Sequence, residues 1–323
     1  MPSEKTHLSG ALYALAAFGL YATHDVVIKF LGEYYSTFQI IFFSGLLGFP
    51  LVTVMLLGDR RDGTLIPRHP WWSAFRSLTA VMTGVAGFFA FSQLPLAQTY
   101  AILFAMPLII TLLSIPMLGE KVGIRRGLAV FVGLIGVLIV LRPGNAPLST
   151  GHLAALSAAC TGAITSIIVR KIGKDERSAV LMLYPMVASI IAMGLAMPFV
   201  YRPMPIEHLG MMGVIAGLGF IATLLSIAAY RSAPAVIVAP MQYSQIIWAI
   251  FYGYLFFDET IDLFTFVGTG VIIASGIYIL LREVKPRVSE NRPVLETRSR
   301  PETGAMPRLS LLLRRFEVRP KND

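Results

Sequence analysis

The chain has 323 residues, of which 55% are hydrophobic and 14% charged, whereas about 25% of residues are charged in ordinary soluble domains. This composition argues against a water-soluble fold. The net charge of +9 does not indicate a nucleic-acid-binding protein, because 11 of the 27 Lys and Arg residues follow Leu281. A basic tail of this kind suits the anionic cytoplasmic surface of a membrane.

Apolar runs of about 20 residues, the length that an α-helix needs to cross a bilayer, recur along the chain. Helices are predicted rather than barrel strands, because residues 127–141 are apolar on every face and barrel strands alternate. We therefore predict an all-α integral membrane protein with ten transmembrane helices. In chain order, the predicted spans lie near 8–31, 36–57, 72–93, 96–118, 124–142, 150–171, 178–200, 208–230, 235–257 and 262–281.

The first five spans and the last five repeat each other. One constant shift of the sequence places Pro95 on Pro234, and a slightly larger shift places Lys29 on Arg170. Because each half contains an odd number of spans, the second half must enter the membrane from the opposite side. The predicted architecture is a 5+5 inverted-topology repeat.

The chain is predicted to divide into three parts. Residues 8–142 form the first five-helix repeat and residues 150–281 form the second. Residues 283–323 are rich in Arg, Pro, Glu and Ser and lack a span-length apolar run. Such a segment buries too little surface to offset chain entropy, so we predict a basic, mostly disordered cytoplasmic tail.

The distribution of Lys and Arg predicts the orientation, because these residues accumulate on the cytoplasmic side. With the N-terminus inside, thirteen of them, Arg76 included, lie in inner loops and at inner helix ends. Only Lys29, Arg142 and Arg202 lie at outer positions. Both termini are therefore predicted to be cytoplasmic.

The sequence contains no motif of a metal site, a catalytic nucleophile or a phosphate loop: HExxH, GxSxG and GxxxxGKS/T are all missing. We accordingly expect no metal, no cofactor and no enzymatic activity. What remains are polar side chains inside apolar spans, which are costly there and usually face a cavity or a partner helix.

The first span carries His24, Asp25 and Lys29. Asp25 and Lys29 are four residues apart and share a helix face, so the group is a candidate to bind solute or a proton. The alternative is an ion pair near the headgroups, since Asp25 lies about 26 Å along the helix. The second half has Thr165 and Ser166 at the equivalent positions, so the carboxylate is specific to the first half.

The ninth span combines amide and aromatic side chains. Its candidates for contact with solute are Gln242, Tyr243, Gln245, Trp248 and Tyr252. Amide groups and aromatic faces suit a flat or zwitterionic organic solute. The alternative is hydrogen bonding between helices through the glutamines, with the aromatic rings as packing.

The fourth span, the repeat partner of the ninth, places Tyr100, Phe104 and Pro107 on one face. Pro107 and Pro240 each remove a backbone hydrogen bond, so both are expected to bend their helices around a mid-membrane site. Helix shape alone is the alternative role for the prolines. Tyr184 in the seventh span is a further candidate for solute contact, with packing as its alternative.

Two glutamates occupy equivalent loops of the two halves. Glu120 and Glu259 each follow one span and precede the next, on opposite membrane faces. A carboxylate there is expected to cap the following helix, whose N-terminal end is positive.

Two long segments match each other between the halves: LPLAQTYAILFAMPLIITLLSIPMLGEKV and APAVIVAPMQYSQIIWAIFYGYLFFDETI. Over about residues 8–282 this doubled pattern resembles the EamA family of the drug/metabolite transporter superfamily. The resemblance implies ten helices, a bacterial inner membrane and movement of metabolites without ATP. The segment ATHDVVIKFLGEYYSTFQIIFF is similar to a branch that includes riboflavin and S-adenosylmethionine uptake proteins. Many members of that branch carry an arginine where this chain has Ser44, which weakens any transfer of substrate.

The predicted function is secondary transport of small organic metabolites, which we expect to be amino-acid-like, vitamin-like or nucleoside-like. The halves are expected to rock around a site between the third and fourth and the eighth and ninth spans, with proton coupling at Asp25. We expect a monomer or homodimer in the lipid bilayer. Two other classes stay open: a membrane-embedded lipid-modifying enzyme and a non-transporting membrane sensor. Neither accounts well for an inverted repeat.

Overall fold

The computed structural model describes residues 4–57, 65–119, 122–142, 149–173 and 175–283. In these residues the regular structure is helical throughout. The long helices are predominantly apolar, and a helix pairs most of its backbone polar groups within itself, as crossing a bilayer requires. The predicted disordered tail after Glu283 lies outside the described residues.

The described residues of the first half form six helices: α1 (Glu4–Gly32), α2 (Thr37–Leu57), α3 (Pro70–Gln93), α4 (Leu96–Leu103), α5 (Met106–Leu118) and α6 (Ile124–Leu141). Those of the second half form α7 (Thr150–Ile172), α8 (Ser178–Val200), α9 (Ile206–Ser232), α10 (Ala235–Val238), a 3-10 turn (Ala239–Tyr243), α11 (Ser244–Phe257) and α12 (Leu263–Glu283).

Nine stretches of the described chain are long and apolar enough to cross a membrane, with α4 and α5 together forming one of them. The tenth predicted span, 235–257, consists of α10, the 3-10 turn and α11, each too short alone. The interruptions lie close to Pro107 and Pro240, which lack the backbone N–H that a regular helix uses. The predicted all-α fold of ten spans in a 5+5 repeat is confirmed.

Packing between the halves follows the repeat. Helix α1 packs along α9, and its equivalent α7 packs along α3. Helix α2 packs against α8, and α6 against α12, so these equivalent helices pair with each other. Each of these contacts between the halves therefore maps onto itself or onto another of them when the halves are exchanged.

Two polar contacts show the same symmetry at the level of residues. Tyr35 Oη lies 2.7 Å from His208 Nδ1, and the backbone N–H of His69 donates to Glu176 Oε1 at 2.6 Å. The larger of the two sequence shifts relates Tyr35 to Glu176, and the smaller relates His69 to His208. The Tyr35–His208 contact and the His69–Glu176 contact are therefore equivalent when the two halves are exchanged.

A close helix crossing joins α6 to α12 at two glycines. A methyl group added to Gly268 would lie 2.7 Å from the carbonyl oxygen of Gly136 and 3.1 Å from the backbone nitrogen of Val140. Both atoms belong to the α6 backbone and cannot move aside independently. Small residues that permit such close approach are typical of helix contacts in membranes.

We therefore expect Gly268→Ala to destabilise the protein by about 1–3 kcal/mol, the usual cost of overpacking. The measurement is thermal unfolding of the purified protein in detergent. Gly270→Ala is the matched control, because Gly270 lies on the same helix and a methyl group there meets no atom within 4 Å. Equal unfolding midpoints for the two variants would contradict the close crossing.

Candidate functional site

A cavity of about 260 Å³ lies among α1, α2, α3, α8 and α9. Helices of both halves therefore line it. From α1, α2 and α3 it is lined by Tyr21, His24, Ile41, Ser44, Gly45, Gly48, Val52, Arg76, Ala80, Val81, Gly84 and Phe88. From α8 and α9 it is lined by Leu181, Met182, Pro185, Met186, Ser189, Ile190, Ile215, Ala216, Gly219, Phe220 and Thr223.

Small residues create this space. Gly45 and Gly48 on α2, Gly84 on α3 and Gly219 on α9 all line the cavity. A methyl group added to Gly84 would meet no atom within 4 Å. The missing side chain at Gly84 therefore leaves room for the cavity on the α3 face, whereas Gly45, Gly48 and Gly219 let neighbouring side chains approach to ordinary contact distance.

Arg76 is the one permanently charged side chain among the described residues that line the cavity. From the sequence it is expected at an inner helix end, but the structure places it within α3, 1% exposed. It shares a helix face with Ala80, Gly84 and Phe88, at steps of four residues, and all four line the cavity. This stripe was the signal in the sequence that could have identified Arg76 as a cavity residue.

His24 lies between the cavity and Asp25. Its Nδ1 is 2.7 Å from Asp25 Oδ1, and its ring meets Phe88 edge to face with the ring centres 6.0 Å apart. The opposite ring edge faces Gly219, since a methyl group added to that glycine would lie 3.6 Å from Nε2. One nitrogen of the imidazole therefore contacts the carboxylate while the other faces a cavity-lining helix.

Asp25 is fully buried and begins a polar chain across three helices. The hydroxyl of Tyr100 on α4 donates to Asp25 Oδ2. Gln245 Nε2 on α11 lies 3.4 Å from the same hydroxyl. The structure therefore brings three of the predicted site residues, from the first, fourth and ninth spans, into one buried group.

Lys29 does not take Asp25 as its ion-pair partner. Its Nζ lies 2.8 Å from Glu259 Oε1 and donates to the carbonyl oxygen of Leu94 at 2.6 Å. Both charged side chains are largely buried, with 12% of the Lys29 side chain and 17% of the Glu259 side chain exposed. This contact joins the end of α1 to the loop before α12.

Glu259 caps a helix of the other half, whereas the sequence predicted that it caps the helix that follows it. Its Oε2 accepts a hydrogen bond of 2.9 Å from the backbone N–H of Leu96, at the start of α4. The start of α12 is instead capped by Asp262, whose Oδ1 accepts from the N–H of Thr265 at 3.0 Å. Glu120 lies outside the described residues.

The remaining candidates of the fourth span and the 3-10 turn pack beside this polar chain. The rings of Phe104 and Tyr243 meet edge to face with their centres 5.0 Å apart, and Phe104 also contacts Tyr100. Gln242 lies half-buried in the same turn as Tyr243.

The other candidates lie nearer the surface. Trp248 is 37% exposed and stacks on Tyr252 with a ring separation of 5.8 Å. The hydroxyl of Tyr252 lies 3.0 Å from Thr23 Oγ1 on α1. Tyr184 on α8 is 41% exposed and donates a hydrogen bond of 3.2 Å to the carbonyl oxygen of Leu65.

Of the predicted site residues, His24 is the one that lines the cavity. Asp25, Tyr100 and Gln245 form the buried chain behind it, and the aromatic candidates of α11 pack against α1. The predicted contact of solute with the fourth and ninth spans stays a prediction. In the described part of the chain, no group of three His, Cys, Asp or Glu side chains could hold a metal ion.

Comparisons with known proteins place these features in a family. The model of the EamA-like transporter family matches residues 8–142 and 149–282, one copy on each half. The S-adenosylmethionine uptake transporter of Rickettsia prowazekii is 24% identical over 89% of this chain and 97% of its own length. The pseudopaline exporter CntI of Pseudomonas aeruginosa is 23% identical over 86% of this chain and 97% of its own.

One solved crystal structure has a TM-score of 0.51 to this chain at 17% sequence identity. It covers 88% of this chain, and the match spans 99% of the solved chain. At this identity the likeness speaks for the fold alone, and it agrees with the helical architecture described above.

Proposed function

We propose that this chain, which belongs to the EamA-like transporter family, is a secondary transporter that moves a small organic metabolite through the described cavity. The observation that carries the proposal is that α1, α2 and α3 of one half and α8 and α9 of the other all line the cavity. In inverted-repeat transporters, rocking of one repeat against the other exposes a single site to each side in turn. Relatives named as an uptake transporter and as an exporter support transport without favouring a direction.

Contacts between the halves support alternating access. At the end where α1 finishes, Lys29 pairs with Glu259, and Gln39 exchanges hydrogen bonds of 2.7 and 2.8 Å with the backbone of Arg202. The cavity extends from His24 toward the opposite end, where α3 and α8 begin. With the predicted topology, the end joined by these contacts is the outer one, and alternating access would require them to break when the cavity opens to the outside.

The contacts of Asp25 support proton coupling. The ionised carboxylate accepts from His24 Nδ1 and from Tyr100, whereas the protonated form would donate to an unprotonated Nδ1. His24 therefore offers a route for a proton from the cavity to Asp25 through its two nitrogens. The other charged group nearby, Lys29, is held by Glu259. A solute and a proton would then bind at neighbouring sites, which is what coupled transport needs.

The test of transport is uptake and efflux by proteoliposomes of the purified protein. A labelled panel of amino acids, riboflavin, S-adenosylmethionine and nucleosides is measured with and without a pH gradient. We expect saturable movement of at least one compound, stimulated by the gradient. Movement of none of them in either direction would count against the proposed function.

We expect Asp25→Asn to remove the stimulation of transport by a pH gradient, because the amide cannot bind and release a proton at this position. Downhill exchange of the same compound should persist, since Asn keeps the size and much of the hydrogen bonding of Asp. Glu207→Gln is the control, because Glu207 is an exposed carboxylate at the start of α9. If Asp25→Asn kept its full response to the gradient, Asp25 would not be the coupling site.

A further inference from the structure

The cavity is lined by basic side chains as well as by apolar ones. Arg76 carries a permanent positive charge, and His24 is the other basic side chain among the described lining residues. None of these described lining residues is acidic. The carboxylate of Asp25 lies behind His24, 2.7 Å from its Nδ1. The permanent charge of the described lining is therefore positive, and the negative charge of Asp25 is separated from the cavity by an imidazole.

The two charged groups also lie at different depths. The ring of Phe88 contacts His24, and Arg76 precedes Phe88 by three steps of four residues on the same face of α3. Twelve residues correspond to about 18 Å along a helix. An anionic group near Arg76 would thus gain its attraction while staying well away from Asp25.

The rest of the lining is mostly apolar, with a few hydroxyl groups. Of these, Tyr21 Oη and Thr223 Oγ1 already bond to each other at 2.8 Å. Aliphatic and aromatic side chains form the walls on α8 and α9. A volume of about 260 Å³ is slightly below the roughly 300–1,000 Å³ usual for ligand pockets. These walls suit a compact solute with an apolar body.

We propose that Arg76 forms an anion-binding subsite and that the transported solute is a small carboxylate-bearing metabolite with an apolar body. A guanidinium binds a carboxylate through two parallel hydrogen bonds, which fixes orientation as well as charge. A single arginine balances one negative charge, so a carboxylate fits better than a doubly charged phosphate. Arg76 is 1% exposed, and its attraction for an anion that reaches it is strengthened because the surroundings have a low dielectric constant. The inference rests on the proposed role of the cavity as the solute path.

The first experiment measures binding without transport. Thermal unfolding of the purified protein is recorded with matched acids and amides: phenylacetate with phenylacetamide, tryptophan with tryptophanamide, and methionine with methioninamide. We expect at least one acid to raise the unfolding midpoint at concentrations where its amide has no effect. Equal stabilisation by acid and amide, or stabilisation by none of the acids, would overturn the subsite.

The second experiment assigns the effect to Arg76. We expect Arg76→Gln to weaken binding of the stabilising acid by about 30-fold or more, as losing one partner of a buried charge pair does. Arg76→Lys keeps the positive charge but lacks the planar guanidinium, so its affinity for the acid should lie between those of the wild type and Arg76→Gln. Arg125→Gln, at an exposed arginine on α6, should bind as the wild type does. Wild-type affinity in Arg76→Gln would overturn the subsite, and if that variant does not fold, wild-type affinity in Arg76→Lys would do so.

The proposed function and this inference fail in different ways. Binding of the acid through Arg76 without movement into proteoliposomes would keep the subsite and count against transport. If a neutral nucleoside moved saturably and at the same rate in wild type and Arg76→Gln, the proposed transport function would stand. The proposed anion-binding subsite would then be wrong.

Discussion

Gly84→Leu should reduce transport to the level of protein-free liposomes. Gly84 lines the cavity midway along its α3 face, and an added methyl group there meets no atom within 4 Å. A leucine side chain would therefore begin in open space and extend into the cavity. Because leucine is a better helix former than glycine by up to about 1 kcal/mol, the protein should remain folded. The measurement is initial uptake by proteoliposomes, at matched protein content, of whichever compound the wild type moves.

A series at this position and a control on another helix sharpen the test. Gly84→Ala should slow transport less than Gly84→Leu, since it fills less of the cavity. Gly217→Leu is the matched control, because Gly217 also has no atom within 4 Å of an added methyl group and does not line the cavity. Unimpaired transport by Gly84→Leu would mean that solute follows another path.

The fold could be predicted because its causes are local and repeated. Bilayer thickness sets the length of each apolar run, and an odd number of runs per half forces the inversion. The structure adds contacts that no single span contains, such as Tyr35 with His208 and its repeat equivalent, Glu176 with His69. These pairs obey the same two shifts that align the halves in the sequence.

The cavity could not be predicted in the same way, because it is formed by missing side chains. A glycine within an apolar span does not by itself show whether it faces open space or a neighbouring helix. A methyl group added to Gly84 meets no atom within 4 Å, whereas one added to Gly268 meets the α6 backbone. Only the relative placement of the helices decides between these two situations. Arg76 was assigned to a helix end for a related reason: its distance from the nearest loop is visible in the sequence, but the direction of its side chain is not.

The buried polar chain was predicted in part. Asp25, Tyr100 and Gln245 were each singled out as costly polar groups within a span, which is a local argument. Their mutual contact depends on three helices meeting at the breaks of the fourth and ninth spans. The partner of Lys29 also comes from tertiary structure, since Glu259 belongs to the other half of the chain while Asp25 is one helical turn away.

Removing Lys29 should destabilise the protein more than removing Arg142, an arginine whose ion pair is less buried. Lys29→Met leaves Glu259 without its cation in a largely buried position, and breaking a buried pair by removing one partner costs about 3–5 kcal/mol. We expect a loss of about 3 kcal/mol, near the lower limit, because both side chains keep some exposure. Arg142→Gln is the control, since the Arg142–Asp262 pair is more exposed and such pairs contribute about 0–1 kcal/mol.

A double-mutant cycle separates the ion pair from the cap that Glu259 provides to α4. Glu259→Gln removes the charge and weakens the acceptor of the Leu96 N–H, whereas Lys29→Met leaves that hydrogen bond in place. If the pair itself contributes, the double variant should be more stable than the sum of the single losses implies. Strictly additive losses would show that Lys29 stabilises α1 chiefly through the Leu94 carbonyl, and the closed end of the transporter would then depend on the cap rather than on the charge pair.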